Sequence, residues 1–344
     1  MTYKTQLVLV TAAAVGAGTA VFVTWWWWAK EKKQKPPSKW QKVGELSDIM
    51  VFPIKSLGIV RKKEMLCTKL GLKSGWMKDR TLMVIDHDGR FLTARQLPKM
   101  VNISPEFSDS ILTLRAPDVI SISIDLSQLC GKSFRAIIWG DAVLARDCGE
   151  EIARWLSRFL LQEDTGLRLV YYPLDRSARK IRKQYLNYFP LLTATDTGVY
   201  PDQTSFTLIN EASVADLNNR LDEPVTPLNF RMNFVVKGPS AYEEDKWDWV
   251  KIGDVILRNL KPCTRCILTT VNPETGVKNT KLEPLKTLKS YRQITDPKIR
   301  PAIGDSPAMG IHLGLRGSNG IVRIGDPVYV GIPEEEAPSS TSSS

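Results

Sequence analysis

The sequence predicts a mainly β chain with some helix, an α+β protein, behind an N-terminal membrane-spanning helix. Three observations predict it. Short apolar or alternating runs recur along residues 43–331 and are separated by turns such as Ile252-Gly253-Asp254 and Ile324-Gly325-Asp326, a pattern expected of a β-barrel. Helical periodicity is confined to few stretches, chiefly 150–161 and 211–221. Residues 7–28 carry no charge at all.

The N-terminal element follows from length and flanks. Leu7 to Trp28 is 22 residues, enough at about 1.5 Å per residue to cross a hydrocarbon core of roughly 30 Å. Trp25 to Trp28 would form an interfacial belt, and Lys30-Glu31-Lys32-Lys33-Gln34-Lys35 follows, whereas only Lys4 precedes the span. That asymmetry leaves the C-terminal side in the cytosol. A cleaved signal peptide would carry its charge before the apolar run and small residues after it, the reverse of this order. A basic linker over 29–42, ending after Pro36-Pro37-Ser38, separates the 1–28 anchor from the body.

The first folded part, 43–172, reads as strands at 46–54, 80–85, 111–114, 119–125, 133–139 and 142–146, with a hairpin signal at Asp88-Gly89. Glu150 to Leu161 is an amphipathic helix presenting Ile152, Trp155, Leu156 and Phe159 on one face. A second part, 173–331, begins after a strand at 167–172. It contains a basic run, Arg176, Arg179, Lys180, Arg182 and Lys183, read as a solvated face or as a docking patch for an acidic redox partner. Asp202-Gln203-Thr204-Ser205 forms a polar turn before a strand at 206–209, and Asn210 caps a helix at 211–221. Residues 229–236 read as a strand with Arg231 and Asn233 on one side. The tail, 332–344, is acidic and then serine-rich, a composition expected of disorder.

Of the 344 residues 43% are hydrophobic and 24% charged, ordinary for a globular chain, and part of the net charge of +10 lies in the juxtamembrane block. Nucleic acid is not expected as a partner. The five cysteines are too scattered for a disulfide framework, which suits a reducing compartment. Two of them, Cys263 and Cys266, flank Thr264 and Arg265 after Lys261-Pro262, ahead of a β-branched run read as a strand. Basic surroundings favour thiolate, the form that binds soft metals. A structural zinc site normally takes four ligands, and no second pair exists to supply them. Two buried structural thiols, or one thiolate on a metal held mainly by a cofactor, both remain compatible with the spacing. No nicotinamide, flavin or haem fingerprint occurs, so a redox function would require an external electron donor.

The run from Pro262 to Gly276 resembles the cysteine segment of the mitochondrial amidoxime-reducing component family of MOSC-domain molybdenum enzymes. The resemblance continues, in family order, through Val51-Phe52-Pro53-Ile54-Lys55-Ser56, Asp79-Arg80, Leu92-Thr93-Ala94-Arg95-Gln96, Asn229-Phe230-Arg231-Met232-Asn233 and the run from Leu285 to Arg292. It implies an N-terminal β-rich MOSC domain at 43–172 and a MOSC β-barrel at 173–331. It also implies a molybdenum cofactor, a pterin bearing a dithiolene and a phosphate, with Cys266 as the metal ligand and catalytic residue and Cys263 either supporting it from behind or structural. Lys55, Ser56, Arg80 and Arg231 would contact phosphate and pterin, with Gln203, Thr204, Ser205, Asn233, Thr264 and Arg265 nearby and Arg95 a weaker candidate. His312 falls where the family closes its site, though a tyrosine is more usual there. The implied activity is reduction of N-hydroxylated compounds (amidoximes, hydroxylamines, N-hydroxyguanidines), with nitrite as a further candidate substrate and electrons passing from NADH through cytochrome b5 reductase and cytochrome b5. The implied location is the outer mitochondrial membrane, with the endoplasmic reticulum as the alternative. A MOSC-type sulfur carrier with a persulfide on Cys266, or a cofactor carrier at the membrane, are the competing readings.

Overall fold

The computed structural model describes residues 35–333, leaving out 132 and 178, and residues 40–331 form one compact unit. The predicted span, residues 29–34 of the linker and the tail beyond residue 333 lie outside these residues. Among the described residues no helix is long and apolar enough to cross a membrane.

Seven strands close into a barrel. Trp40–Val51 pairs on one edge with Phe234–Lys237 and on the other with Pro327–Gly331, and Phe206–Asn210, Ala308–Leu315, Val255–Thr264 and Trp249–Ile252 complete the circuit. Closure leaves no edge between these strands. One pair is parallel, Phe206–Asn210 beside Phe234–Lys237, and a parallel pair needs a crossover connection, here carrying the helix Glu211–Asn218. Asn210 starts that helix as expected, its side chain accepting from the Ala212 N–H at 3.1 Å. The turn at Gly253-Asp254 joins Ile252 directly to Val255 in register, and Gly253 supplies the positive φ of +55° that the turn demands.

Alternation along these strands fills the barrel. Phe206, Leu208, Phe234, Ile311 and Leu313 are buried inside, and Phe206 stacks on Phe234 with 5.8 Å between ring centroids. Two bulges in Val255–Thr264, at Asn259/Lys261 and Pro262/Thr264, shift its register against Ala308–Leu315, and Thr264 still pairs with Ala308. Pro262, which has no N–H to donate, sits at the second of them.

Outside the barrel, Leu82–Ile85, Arg168–Tyr171, Asp141–Asp147 and Ser133–Ile138 form a four-stranded sheet. The helix Glu150–Leu161 packs Ile152 and Leu156 into the core beside this sheet, with Trp155 and Phe159 half-buried at its edge.

One expected strand is absent and another is shortened. Ile267–Thr270 is a single 3-10 turn: the Thr269 and Thr270 hydroxyls donate to the carbonyls of Cys266 and Ile267, three residues back, so β-branched residues stabilise a turn here. Cys266 therefore sits beyond the end of a strand and opens no other. Residues 229–236 also divide. Pro227–Phe230 is a 3-10 turn capped by Thr226 and Asn229, Arg231 takes a left-handed φ of +52°, and only Phe234–Lys237 is extended.

Candidate functional site

A cleft of about 320 Å³ opens on the outer side of the barrel, within the size range of small-molecule sites, roughly 300–1,000 Å³. The barrel's alternation supplies part of it. Thr207 and His312 face each other across paired strands and line the cleft, while their neighbours Phe206, Leu208, Ile311 and Leu313 turn inward. The rest comes from the loops around Lys55, Arg80, Arg95 and Asp202, the segment after Arg179, and the bulged end of Val255–Thr264 with the residues after it.

The cleft is strongly cationic. Among the described residues Lys55, Arg80, Arg95, Arg179, Lys180, Arg182, Arg231 and Arg265 line it, against the single carboxylate of Asp202. Burial and the adjacent Arg80 guanidinium push Arg231 down to about 9, and burial pushes Lys55 down to about 8 despite Asp202. Burial opposes the charge on Asp202, yet contact with Lys55 and Arg95 outweighs it and holds the carboxyl well below its usual range. Arg80 and Arg231 both lie over the buried ring of Phe52, at 4.8 and 4.2 Å from its centroid. Arg80 also donates to Asp79 at 2.5 Å and to the Arg231 carbonyl at 2.9 Å. Ser56, Arg80 and Arg231 all hold left-handed backbone, with φ of +70°, +48° and +52°, unusual for residues with a Cβ and concentrated here at one site.

The two cysteines differ. Cys263 is buried against Phe230, Met232 and Leu288, and Arg265 Nη1 lies 2.9 Å from its sulfur. Cys266 is exposed to the cleft, with Arg95 Nε at 3.4 Å from Sγ. Arg95 also donates to Asp202 at 2.5 Å, so one guanidinium links a cleft carboxylate to the exposed thiol. Among the described residues no three His, Cys, Asp or Glu side chains converge, so a metal bound beside Cys266 would take most of its ligands from a cofactor.

His312 is the neutral member of the wall. The Thr204 hydroxyl donates to the Phe206 carbonyl at 2.9 Å and so accepts from His312 Nδ1 at 2.7 Å, which assigns the proton to Nδ1. Burial, reinforced by Lys261 and Arg265, holds the ring well below its usual pKa. Lys261, itself pushed down to about 8 by burial, donates to Gln203.

The structure thus brings Lys55, Ser56, Arg80, Arg95, Gln203, Thr204, Arg231, Thr264, Arg265, Cys266 and His312 to one cleft. Ser205 and Asn233 depart from expectation. Ser205 donates to the Lys69 carbonyl at 2.7 Å, and the Asn233 amide ties Thr207 to Met50 between barrel strands, because the backbone turns at Arg231 and places the two residues on different sides. Trp139 and Asp202 line the cleft without having been singled out in sequence. In sequence Asp202 reads only as part of the polar turn before the strand at 206–209 and Trp139 only as the end of a strand, so neither carries a site signature of its own.

A pterin carrying dithiolene and phosphate fits these groups. The cations answer the phosphate, the exposed thiol answers the metal, and buried Arg265 Nε has no hydrogen-bond partner, a donor left over for a ligand.

Comparison with known proteins agrees. The chain matches the MOSC N-terminal beta barrel domain over residues 43–163 and the MOSC domain over 196–329. It is 40% identical over 290 residues to bovine mitochondrial amidoxime reducing component 2, covering 84% of each chain. The human component 2 gives the same identity and coverage, and human component 1 is 39% identical over 291 residues, again with 84% of each chain covered. The chain belongs to the mitochondrial amidoxime-reducing component family of MOSC-domain proteins.

Proposed function

We propose that this chain is a molybdenum-cofactor-dependent reductase of N-hydroxylated compounds, acting on amidoximes, hydroxylamines and N-hydroxyguanidines. The observation that carries the reading is the convergence of a cation-lined cleft on one exposed thiol, Cys266. Lys55, Arg80 and Arg231 would hold the phosphate, and Thr264 and Arg265 the pterin. Cys266 would give its thiolate to the metal, with Arg95 beside the sulfur to stabilise the negative charge. Asp202, kept ionised, would position Lys55 and Arg95 around the reacting centre. The bound group would supply the two-electron removal of oxygen from nitrogen, giving the amine or amidine and water.

Electrons would come from NADH through cytochrome b5 reductase and cytochrome b5, and the apolar N-terminal run would anchor the body at the outer mitochondrial membrane, facing the cytosol. The location is supported by the relatives' mitochondrial names and by the charge asymmetry around residues 7–28, and the need for an outside electron donor by the lack of a nicotinamide, flavin or haem fingerprint in the sequence. The test is turnover of benzamidoxime with NADH, cytochrome b5 and its reductase. Product formation that needs all three components supports the proposal. A molybdenum-loaded protein that never reduces the substrate refutes it.

A further inference from the structure

Trp139 occupies an unusual position. It joins the strands Ser133–Ile138 and Asp141–Asp147 in a two-residue turn with Gly140, at a left-handed φ of +52°. Such turns favour Asn, Asp or Gly, and a bulky aromatic there is strained. Surrounding contacts hold it. Its Nε1 donates to Asp202 at 3.2 Å, Phe91 packs on it with 4.9 Å between centroids, and Arg95 lies 5.2 Å from its ring centre. Arg179 fastens the turn to the cleft loop, bonding Asp141 at 3.2 Å and the Pro201 carbonyl at 2.7 Å.

The ring nevertheless remains 39% exposed, a large apolar surface beside a cleft lined with cations. It is also close to the thiol. The 5.2 Å to the Arg95 guanidinium and the 3.4 Å from Arg95 Nε to Sγ, joined by one C–N bond of about 1.3 Å, put the indole centre within about 10 Å of Cys266 Sγ. An arylamidoxime presenting its N–O group near that sulfur has the length to reach the indole.

We infer that Trp139 is a specificity-determining residue, giving aryl-substituted N-hydroxylated substrates an aromatic contact that alkyl ones lack. This rests on the proposed function for the identity of the substrate, while the contact itself is readable by binding alone. The indole Nε1–H and the ring do separate work: the first orients Asp202, the second meets the substrate.

The experiment compares benzamidoxime with acetamidoxime, which differ in phenyl against methyl, on cofactor-loaded full-length protein, measuring both Kd by calorimetry and kcat/KM. Measured against Trp139→Phe, which shares the loss of the donor to Asp202, Trp139→Ala is expected to weaken benzamidoxime binding by about three- to ten-fold more than acetamidoxime binding, the range of one aromatic pair. Trp139→Phe, which keeps a ring but loses the donor to Asp202, is expected to retain the aryl preference. Equal losses for both compounds in Trp139→Ala, or a wild type with no preference, overturn the inference and leave the proposed activity standing. Trp139-dependent binding of benzamidoxime without any turnover would overturn the proposed activity and leave the inference standing.

Discussion

Inside the barrel, Phe206, Leu208, Ile311 and Leu313 pack in a dry core; one residue along on the same paired strands, Thr207 and His312 face a cleft lined with cations. The interior gains stability by removing apolar surface from water and needs no partner. The cleft gathers buried like charges, left-handed backbone at Ser56, Arg80 and Arg231, and an unpartnered donor on Arg265, features that cost stability until an anion arrives. Alternation lets one pair of strands serve both: the face that stabilises the fold is the reverse of the face that binds.

The comparison can be broken most sharply at the cysteines, which repeat the contrast over three residues. Cys266→Ala is expected to lower benzamidoxime turnover by more than about 10²-fold with an unchanged melting curve, while Cys263→Ser is expected to destabilise the fold and keep most activity per folded molecule; steady-state kinetics with thermal melts reads both. In the core, Phe206→Ala is expected to cost about 3–5 kcal/mol by denaturant titration, through lost burial and the cavity left against Phe234. In the cleft, Arg231→Ala is expected to lower molybdenum occupancy by about ten-fold or more under dilution while leaving the apo-protein as stable or more stable, because it relieves Arg80 of a buried like charge. Unchanged occupancy would remove Arg231 from the site.

The smallest expected effect is a pH dependence. Lys261 has a folded pKa of about 8, below its ordinary 10.5, because burial disfavours its charge. The unfolded chain therefore binds the extra proton between these values, and the Lys261 contribution to stability rises with pH across about 8 to 10.5. Lys261→Met is expected to be more stable than wild type below pH 8, with the difference shrinking toward pH 10.5; urea melts of apo-protein at pH 7.5 and 9.5 would show it. A constant difference would mean that Lys261 is not buried in its charged form.

Local features were the legible ones. The helix Glu150–Leu161, the Asn210 cap and the turn at Gly253-Asp254 depend on neighbours in sequence, and each lies where periodicity or turn chemistry puts it. Barrel closure was not readable strand by strand, since it depends on Trp40–Val51 pairing with Phe234–Lys237 far along the chain. The run after Cys266 misleads because Thr favours strands by propensity, yet its hydroxyl can close a turn on the carbonyl three residues back. Most candidate site residues came through the family resemblance, and period-two reasoning failed for Arg231 and Asn233 because a left-handed residue breaks the period. Asp202 and Trp139 carry no local signature of a site; the folded chain alone brings them beside Arg95 and Cys266.

The most direct test of the central claim is the metal content of the purified protein, measured by elemental analysis on wild type and on Cys266→Ala in parallel. A cleft that holds a phosphate-bearing molybdenum cofactor through its cations and Cys266 predicts about one molybdenum per wild-type chain and a reduced or more readily lost metal in the variant. Wild-type protein from cofactor-producing cells that carries no molybdenum, or equal retention in both proteins, would contradict it.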